Sequence, residues 1–150
     1  MPDARVDFDK VGLLAVRDGK ILLCRKKHGI SLLILPGGCR EPGESALDCL
    51  SRELREELGD VGVNGAELVG VYTDRAAGVE TGPPKTVRIE LYRGELIGEP
   101  VASSEIGELV WFGEGDDCDQ VAPSIANKIL PDLLARGILG WAGLSHRREP

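Results

Sequence analysis

Residues 38–60 read GCREPGESALDCLSRELREELGD, and the parsing of this stretch decides the fold. Leu47, Leu50, Leu54 and Leu58 recur at intervals of three and four, which is one stripe of an α-helix. Gly59 supplies the stop, so the spacing predicts a helix from Glu44 to Leu58. Glu53, Glu56 and Glu57 then fall at i, i+3 and i+4, on one helix face that this reading sets well away from the leucine stripe. Like charges at that spacing repel by about a few tenths of a kcal/mol per pair. A charge run is ordinarily a solvated face. A hard cation is the other way to offset the repulsion, because Mg²⁺ takes carboxylate oxygens together with those of substrate phosphates.

Outward from the helix the pattern is that of strands. Val11 to Val16 and Lys20 to Cys24 are apolar runs around Arg17-Asp18-Gly19, and Asp-Gly tolerates the positive φ of a tight turn, so a β-hairpin is expected. A third apolar run, Ser31 to Leu35, meets Pro36-Gly37-Gly38, where ring and glycines argue against a continuing strand and predict a loop through Pro42-Gly43. Glu67 to Thr73, Thr86 to Arg93 and Leu109 to Phe112 read as further strands; Val87, Ile89 and Leu91 alternate with Arg88 and Glu90, as in a half-buried strand. Asp74 to Lys85 reads as a long polar loop. Ile125, Ile129, Leu130, Leu133 and Leu134 form a last helical pattern, which Pro131 kinks or restarts as a first-turn residue. Ser145 to Pro150 is expected to fray.

The chain has 150 residues, 42% of them hydrophobic, which suits a single domain over 1–150 with a core spanning about 11–136. No apolar run is long enough to span a membrane, and the first ten residues hold no signal-like stretch, so a cytoplasmic protein without a membrane partner is expected. Eighteen basic residues against 25 acidic ones give a net charge of -7, the opposite of the field that binds a nucleic-acid polymer. Residues 41–60 hold seven acids against Arg52 and Arg55. Cys24, Cys39, Cys49 and Cys118 show no zinc or disulfide spacing and read as free thiols.

The pattern Gly38-x5-Glu44-x7-Arg52-Glu53-Leu54-x-Glu56-Glu57-x-Gly59 resembles the signature box of the Nudix hydrolases, except that Asp60 stands where the box normally ends in an aliphatic residue, with Val61 next. The resemblance extends over Val11 to Arg25, Leu35-Pro36-Gly37-Gly38, Gly98-Glu99-Pro100, Glu105 and Trp111-Phe112. It implies an α/β fold: an α/β/α sandwich with a mixed, curved β-sheet between the box helix and a C-terminal helix. It further implies that Glu53, Glu56 and Glu57 bind divalent cations together with the Gly37 carbonyl. Arg52 would orient one of these glutamates, Glu44 would support the loop and helix start, and Glu105 would bind metal or act as general base. Glu108 is the near competitor of Glu105. The implied cofactor is Mg²⁺, with Mn²⁺ as a substitute.

The implied activity is hydrolysis of a pyrophosphate bond in a nucleoside diphosphate linked to a group X. No proline lies between Gly59 and Pro83, where many ADP-ribose pyrophosphatases carry one. The signatures of NADH-acting and coenzyme-A-acting members are missing too. Elimination therefore favours a nucleoside triphosphate, an oxidised or non-standard one included, over ADP-ribose or a nucleotide sugar. A non-catalytic Nudix ligand sensor is the reading from another class, but such domains commonly lose box glutamates, and all are present here. Arg25 and Lys26, at a strand end, are candidate phosphate contacts, and Arg75 is placed in the loop expected to select the substrate. His28 and His146 read as surface residues, Trp111 as core, and Cys39 and Cys49 receive no role. Monomer and homodimer both remain open.

Overall fold

The structure is a computed structural model and describes residues 6–77 and 82–146. Seven strands run in the order β1 (Phe8–Leu14), β2 (Val16–Arg17), β3 (Lys20–Lys26), β4 (Gly37–Cys39), β5 (Gly62–Arg75), β6 (Thr86–Ile97) and β7 (Ile106–Phe112). Helix α1 (Ala46–Leu58) lies between β4 and β5, and α2 (Leu130–Ala135) closes the element order. The β layer is mixed and divides into two sheets. One has the order β4-β1-β6-β5, with β1 and β6 parallel, and the other is the antiparallel β2-β3-β7.

Strand alternation builds two cores on opposite faces of this layer. Val11 and Leu13 of β1 and Leu22 and Cys24 of β3 pack with Cys49, Leu50, Leu54 and Leu58 of α1. Leu14, Ile21 and Leu23, with Val87, Ile89 and Leu91 of β6, pack with Ile129, Leu130 and Leu133 at the other helix. This is the expected α/β/α layering.

Several local expectations are corrected. The hairpin turn forms, with Asp18 and Gly19 at φ 54° and 75°, but it joins β3 to the two-residue β2; the run from Val11 belongs to β1 in the other sheet. Gly37 and Gly38 do not start a loop: Gly37–Cys39 is β4, antiparallel to β1, with Val11 opposite Gly38. Leu47 is 46% exposed and drops out of the stripe, while Cys49 takes a buried place in it. The carboxylate face is not remote from that stripe, because Glu57, seven residues after Leu50, lies within about 20° of it around the helix. Glu57 is accordingly 9% exposed.

The helix begins at Ala46, with Ser45 as N-cap accepting the Asp48 amide at 3.1 Å, so Glu44 precedes it. Gly59 ends it at φ 82°, and Val61, buried against α1, fills the apolar place that Asp60 leaves. Pro131 starts α2 in its first turn, after π-helical turns over Ile125–Ile129 in which the Leu130 amide donates to the Ile125 carbonyl. Tyr72 of β5 donates to Asp132 at 2.5 Å, and Arg136 donates to the Val69 carbonyl, docking α2 on β5.

Trp111 is only half-buried, with the Arg17 guanidinium 5.0 Å from its ring centroid. Strand β5 continues through Asp74 and Arg75, so the loop starts at Ala76, whose amide donates to the Lys85 carbonyl; residues 78–81 of the expected loop lie outside the described residues. Ser145 is not frayed, since its carbonyl accepts the Cys118 amide at 2.8 Å; residues 147–150 of the expected tail lie outside the described residues. No helix among the described residues is long and apolar enough to cross a membrane.

Candidate active site

Two glycines of β4 let it lie close to β1 on one side and to Glu53 of α1 on the other. A Cβ on Gly37, at φ 135°, would stand 2.0 Å from the Val11 carbonyl oxygen, and one on Gly38 would stand 2.4 Å from the Glu53 carboxyl carbon. Only glycine fits either position, and the Gly37 backbone angle itself favours it. The Gly37 N–H donates to Glu57 Oε1 at 2.7 Å. The sequence reading gave Gly37 a role through its carbonyl; the structure adds this engagement of its amide.

Arg52 ties the helix to the loop before it. Its Nε and Nη2 donate to the two oxygens of Glu44 at 2.8 and 2.9 Å, a bidentate pair, and Nη1 donates to Glu53 Oε1 at 2.9 Å. Nη2 also reaches the Cys39 carbonyl at 3.2 Å, while Glu56 is farther from Nη1 at 3.5 Å. Glu44 in turn accepts the Glu41 amide. These bonds to Arg52 and to Glu41 hold the Glu44 carboxyl at about 2, well below the usual carboxylate range.

The opposite holds on the buried face. Burial pushes the Glu57 carboxyl up to about 7, against the Gly37 N–H bond, and the neighbouring Glu53 charge adds to the rise. Glu53 is raised as well, again chiefly by burial, with Arg52 opposing. Desolvated carboxylates with too little positive charge around them are a donor set suited to a hard divalent cation, and the room that Gly38 leaves for Glu53 keeps that set open. The residues present fit the cation that the sequence implies.

The three glutamates open into a cleft of about 610 Å³. Glu105, Lys10 and Lys26 also line it, and Phe8, Ile34, Leu35, Ile89, Ala122 and Ile125, all of one hydrophobic cluster, supply an apolar wing. Glu105 is fixed from the helix side. Ser103 donates its amide to the Glu57 carbonyl at 3.0 Å, Val101 to that of Leu58, and Ser104 adopts a left-handed φ of 55° just before Glu105. Non-glycine residues with such a φ cluster at functional turns. Glu108 is engaged elsewhere, paired with Arg25, whose Nε also holds the Ser31 carbonyl.

Arg25 is therefore absorbed by a surface pair and does not line the cleft, whereas Lys26 does. The cause is the alternation of β3: Lys26 shares the face of Leu22 and Cys24, which pack toward α1, whereas Arg25 follows Ile21 and Leu23 to the other face. Arg75 is exposed at the end of β5 and does not line the cleft; Ala76 and Ala77 do. Lys10 and Cys39 were missed as lining residues. A signal existed for Lys10, which shares the period-two face of Gly12 and Leu14 and so points inward from a strand end.

Among the described residues, ligand-type atoms converge within 4.8 Å at a different place: Asp117, Asp119 and His146. There His146 Nδ1 lies 2.8 Å from Asp119 Oδ1, and the Asp117 carboxylate accepts the Asp119 amide at 2.9 Å.

A family model described as the NUDIX domain matches residues 8–130. The uncharacterized Nudix hydrolase YvcI of Bacillus subtilis is 32% identical over 99 residues, which are 66% of this chain and 61% of that protein, less than two thirds of its length. The solution structure of the Escherichia coli ORF135 protein is 26% identical and superposes with a TM-score of 0.65 over 87% of this chain and 91% of that one. A MutT NUDIX hydrolase from Burkholderia pseudomallei is 27% identical, with a TM-score of 0.60 over 71% of this chain and 82% of that one.

Proposed function

As the chain belongs to the NUDIX domain family, we propose that it hydrolyses a pyrophosphate bond in a nucleoside diphosphate linked to a group X, with a nucleoside triphosphate as the favoured substrate. The observation that carries this reading is the single cleft lined both by Glu53, Glu56, Glu57 and Glu105 and by the apolar wing. Glu53, Glu56 and Glu57 would hold Mg²⁺, with the Gly37 carbonyl as a further ligand. Bound there, the ion would neutralise phosphate charge and the charge that develops at the transferred phosphorus.

The chain's own residues supply the rest. Arg52 and the Gly37 amide fix the glutamates in place. Glu105, held on its tethered turn, accepts the proton of the attacking water; the water oxygen forms the new P–O bond as the bridging P–O bond breaks toward the leaving phosphate. The apolar wing receives the nucleoside, since a base presents an apolar face that such a wall covers. A monophosphate and pyrophosphate are the products of a triphosphate.

The absence of a proline between Gly59 and Pro83, where many ADP-ribose pyrophosphatases carry one, supports the choice of triphosphate. The test is a panel of nucleoside triphosphates, ADP-ribose and nucleotide sugars, with Mg²⁺ or with chelator, read by phosphate and pyrophosphate release. Mg²⁺-dependent pyrophosphate release from a triphosphate is expected. Turnover of ADP-ribose alone would move X to a sugar phosphate, and no turnover of any member would leave a ligand-binding domain.

A further inference from the structure

Lys10 has no part in the function as derived so far. On β1 it lies opposite Cys39 of β4 on one side and beside Ile89 of β6 on the other. It shares its strand face with Phe8, Gly12 and Leu14, the side of the layer on which the apolar wing is built. The charges it feels, however, include those of Glu57, Glu53 and Lys26, which line the same cleft. Lys10 therefore lines the cleft from the face of the apolar wing while feeling the charge of the glutamates. Its side chain is half-buried, and among the described residues no hydrogen bond or ion pair within 4.0 Å engages its ammonium. Lys26 is the other cation lining the cleft among the described residues.

We propose that Lys10 is a substrate-binding residue, whose ammonium receives the phosphate of the scissile pyrophosphate that lies nearer the nucleoside. The proposal rests on the hydrolase reading for its substrate and on the cleft for its geometry. A substrate of this class must carry its phosphates past four carboxylates. A cation in the cleft offsets that repulsion at the phosphate that lies nearer the nucleoside. Burial pulls the Lys10 ammonium below its ordinary pKa, so its desolvation is only partly offset by the glutamates, and an arriving phosphate oxygen completes the compensation.

The competing role is a plain counter-ion for Glu57 and Glu53, and binding measurements separate the two. Wild type, Lys10→Gln and Lys10→Arg are titrated calorimetrically with Mg²⁺ alone and then with inorganic pyrophosphate at saturating Mg²⁺. Circular dichroism checks the fold of each. Lys10→Gln should lose about ten- to a hundredfold in pyrophosphate affinity, the range for a charge-assisted hydrogen bond. Its Mg²⁺ affinity should be unchanged or higher, and Lys10→Arg should recover most of the loss in pyrophosphate binding. On any nucleotide the panel identifies, KM should rise more than kcat falls.

Pyrophosphate affinity within twofold of wild type in folded Lys10→Gln would overturn the proposal. So would a loss of Mg²⁺ affinity matching the loss of pyrophosphate, since Lys10 would then serve the glutamates. If wild type turns over no nucleotide, the hydrolase reading fails alone, because the pyrophosphate titration still decides the place of Lys10.

Discussion

Glu53, Glu56 and Glu57 on α1 and Asp117, Asp119 and His146 near the C-terminus are both groups of potential ligands, and they differ in what surrounds them. At the second, the atoms lie closer together, yet Asp119 and His146 are exposed and paired with each other, and Asp117 accepts a turn amide. At the first, the chain forces a carboxylate to 9% exposure beside the leucine stripe and gives it one backbone N–H. Convergence of oxygens at a wet surface costs little and implies little. Burial of a carboxylate leaves a deficit in the free protein that a ligand can offset, and the about-7 pKa of Glu57 is that deficit expressed as proton affinity.

The sharpest way to break the contrast is to neutralise one acid from each group. Glu57→Gln keeps the size and the acceptor for the Gly37 amide but removes the charge, so turnover should fall on the order of 10³-fold with the fold intact. Asp119→Asn should leave turnover unchanged. Steady-state kinetics on the panel's best substrate, at saturating Mg²⁺, checks both, and near wild-type kcat for Glu57→Gln would remove Glu57 from the catalytic machinery.

A smaller effect sharpens the boundary of the first group. Glu105 lines the cleft on a turn tethered to the Glu57 carbonyl, whereas Glu108 is bound up with Arg25. Glu105→Gln should therefore lower kcat by about 10²-fold or more, the usual contribution of a positioned base. Glu108→Gln should cost less than about threefold, since it perturbs only a surface pair. An equal or reversed ranking would mean that the proton goes elsewhere.

Stability of the metal-free protein gives a third contrast, with a definite sign. The Glu57 carboxyl titrates near 7 when folded, above the 4.5 of a solvated glutamate, so the folded state holds the proton more tightly. Its contribution to stability is fully present below about pH 4.5 and is lost as pH rises through 7. At about 1.4 kcal/mol per pH unit, this interval sets an upper bound of about 3 kcal/mol. In EDTA at pH 8, Glu57→Gln should unfold at a higher temperature than wild type, and the gap should narrow toward pH 4.5. Mg²⁺ should raise the wild-type Tm and not that of the mutant. A gap independent of pH would show that Glu57 is not the group responsible.

Local features were the legible ones. The helix stop at Gly59, the tight turn at Asp18-Gly19, the alternation of Val87, Ile89 and Leu91 and the restart at Pro131 depend on neighbours in sequence, and the structure contains them all. What escaped depends on neighbours in space. Gly37–Cys39 becomes a strand because β1 offers its edge, overriding what ring and glycines suggest. Leu47 is exposed and Glu57 buried because the contact stripe is set by where β1 and β3 lie against α1, not by the leucines alone. Arg25 and Lys26 part company because successive residues of β3 alternate, and which of the two faces looks into the cleft depends on where α1 packs. Lys10 enters the cleft only once β4 and β6 flank it.

The least effect is expected at the C-terminal group, and its size decides whether that group is structural. Asp117 caps the 3-10 turn Cys118–Gln120, and the segment from Ser145 rejoins the chain there through the Cys118 amide. Asp119 touches His146 only as an exposed pair, and exposed pairs contribute about 0–1 kcal/mol. Asp119→Asn keeps an oxygen for His146 and loses only the charge, so unfolding by urea should move by less than about 0.5 kcal/mol, with no response to Mg²⁺ beyond that of wild type. Asp117→Ala should cost more, about 1 kcal/mol, because it removes a cap. If Asp119→Asn instead abolished a Mg²⁺-dependent rise in Tm that Glu57→Gln left in place, the ranking of the two groups would be inverted: the cation would sit at the exposed group, and burial of Glu57 would be a packing cost with no ligand to offset it.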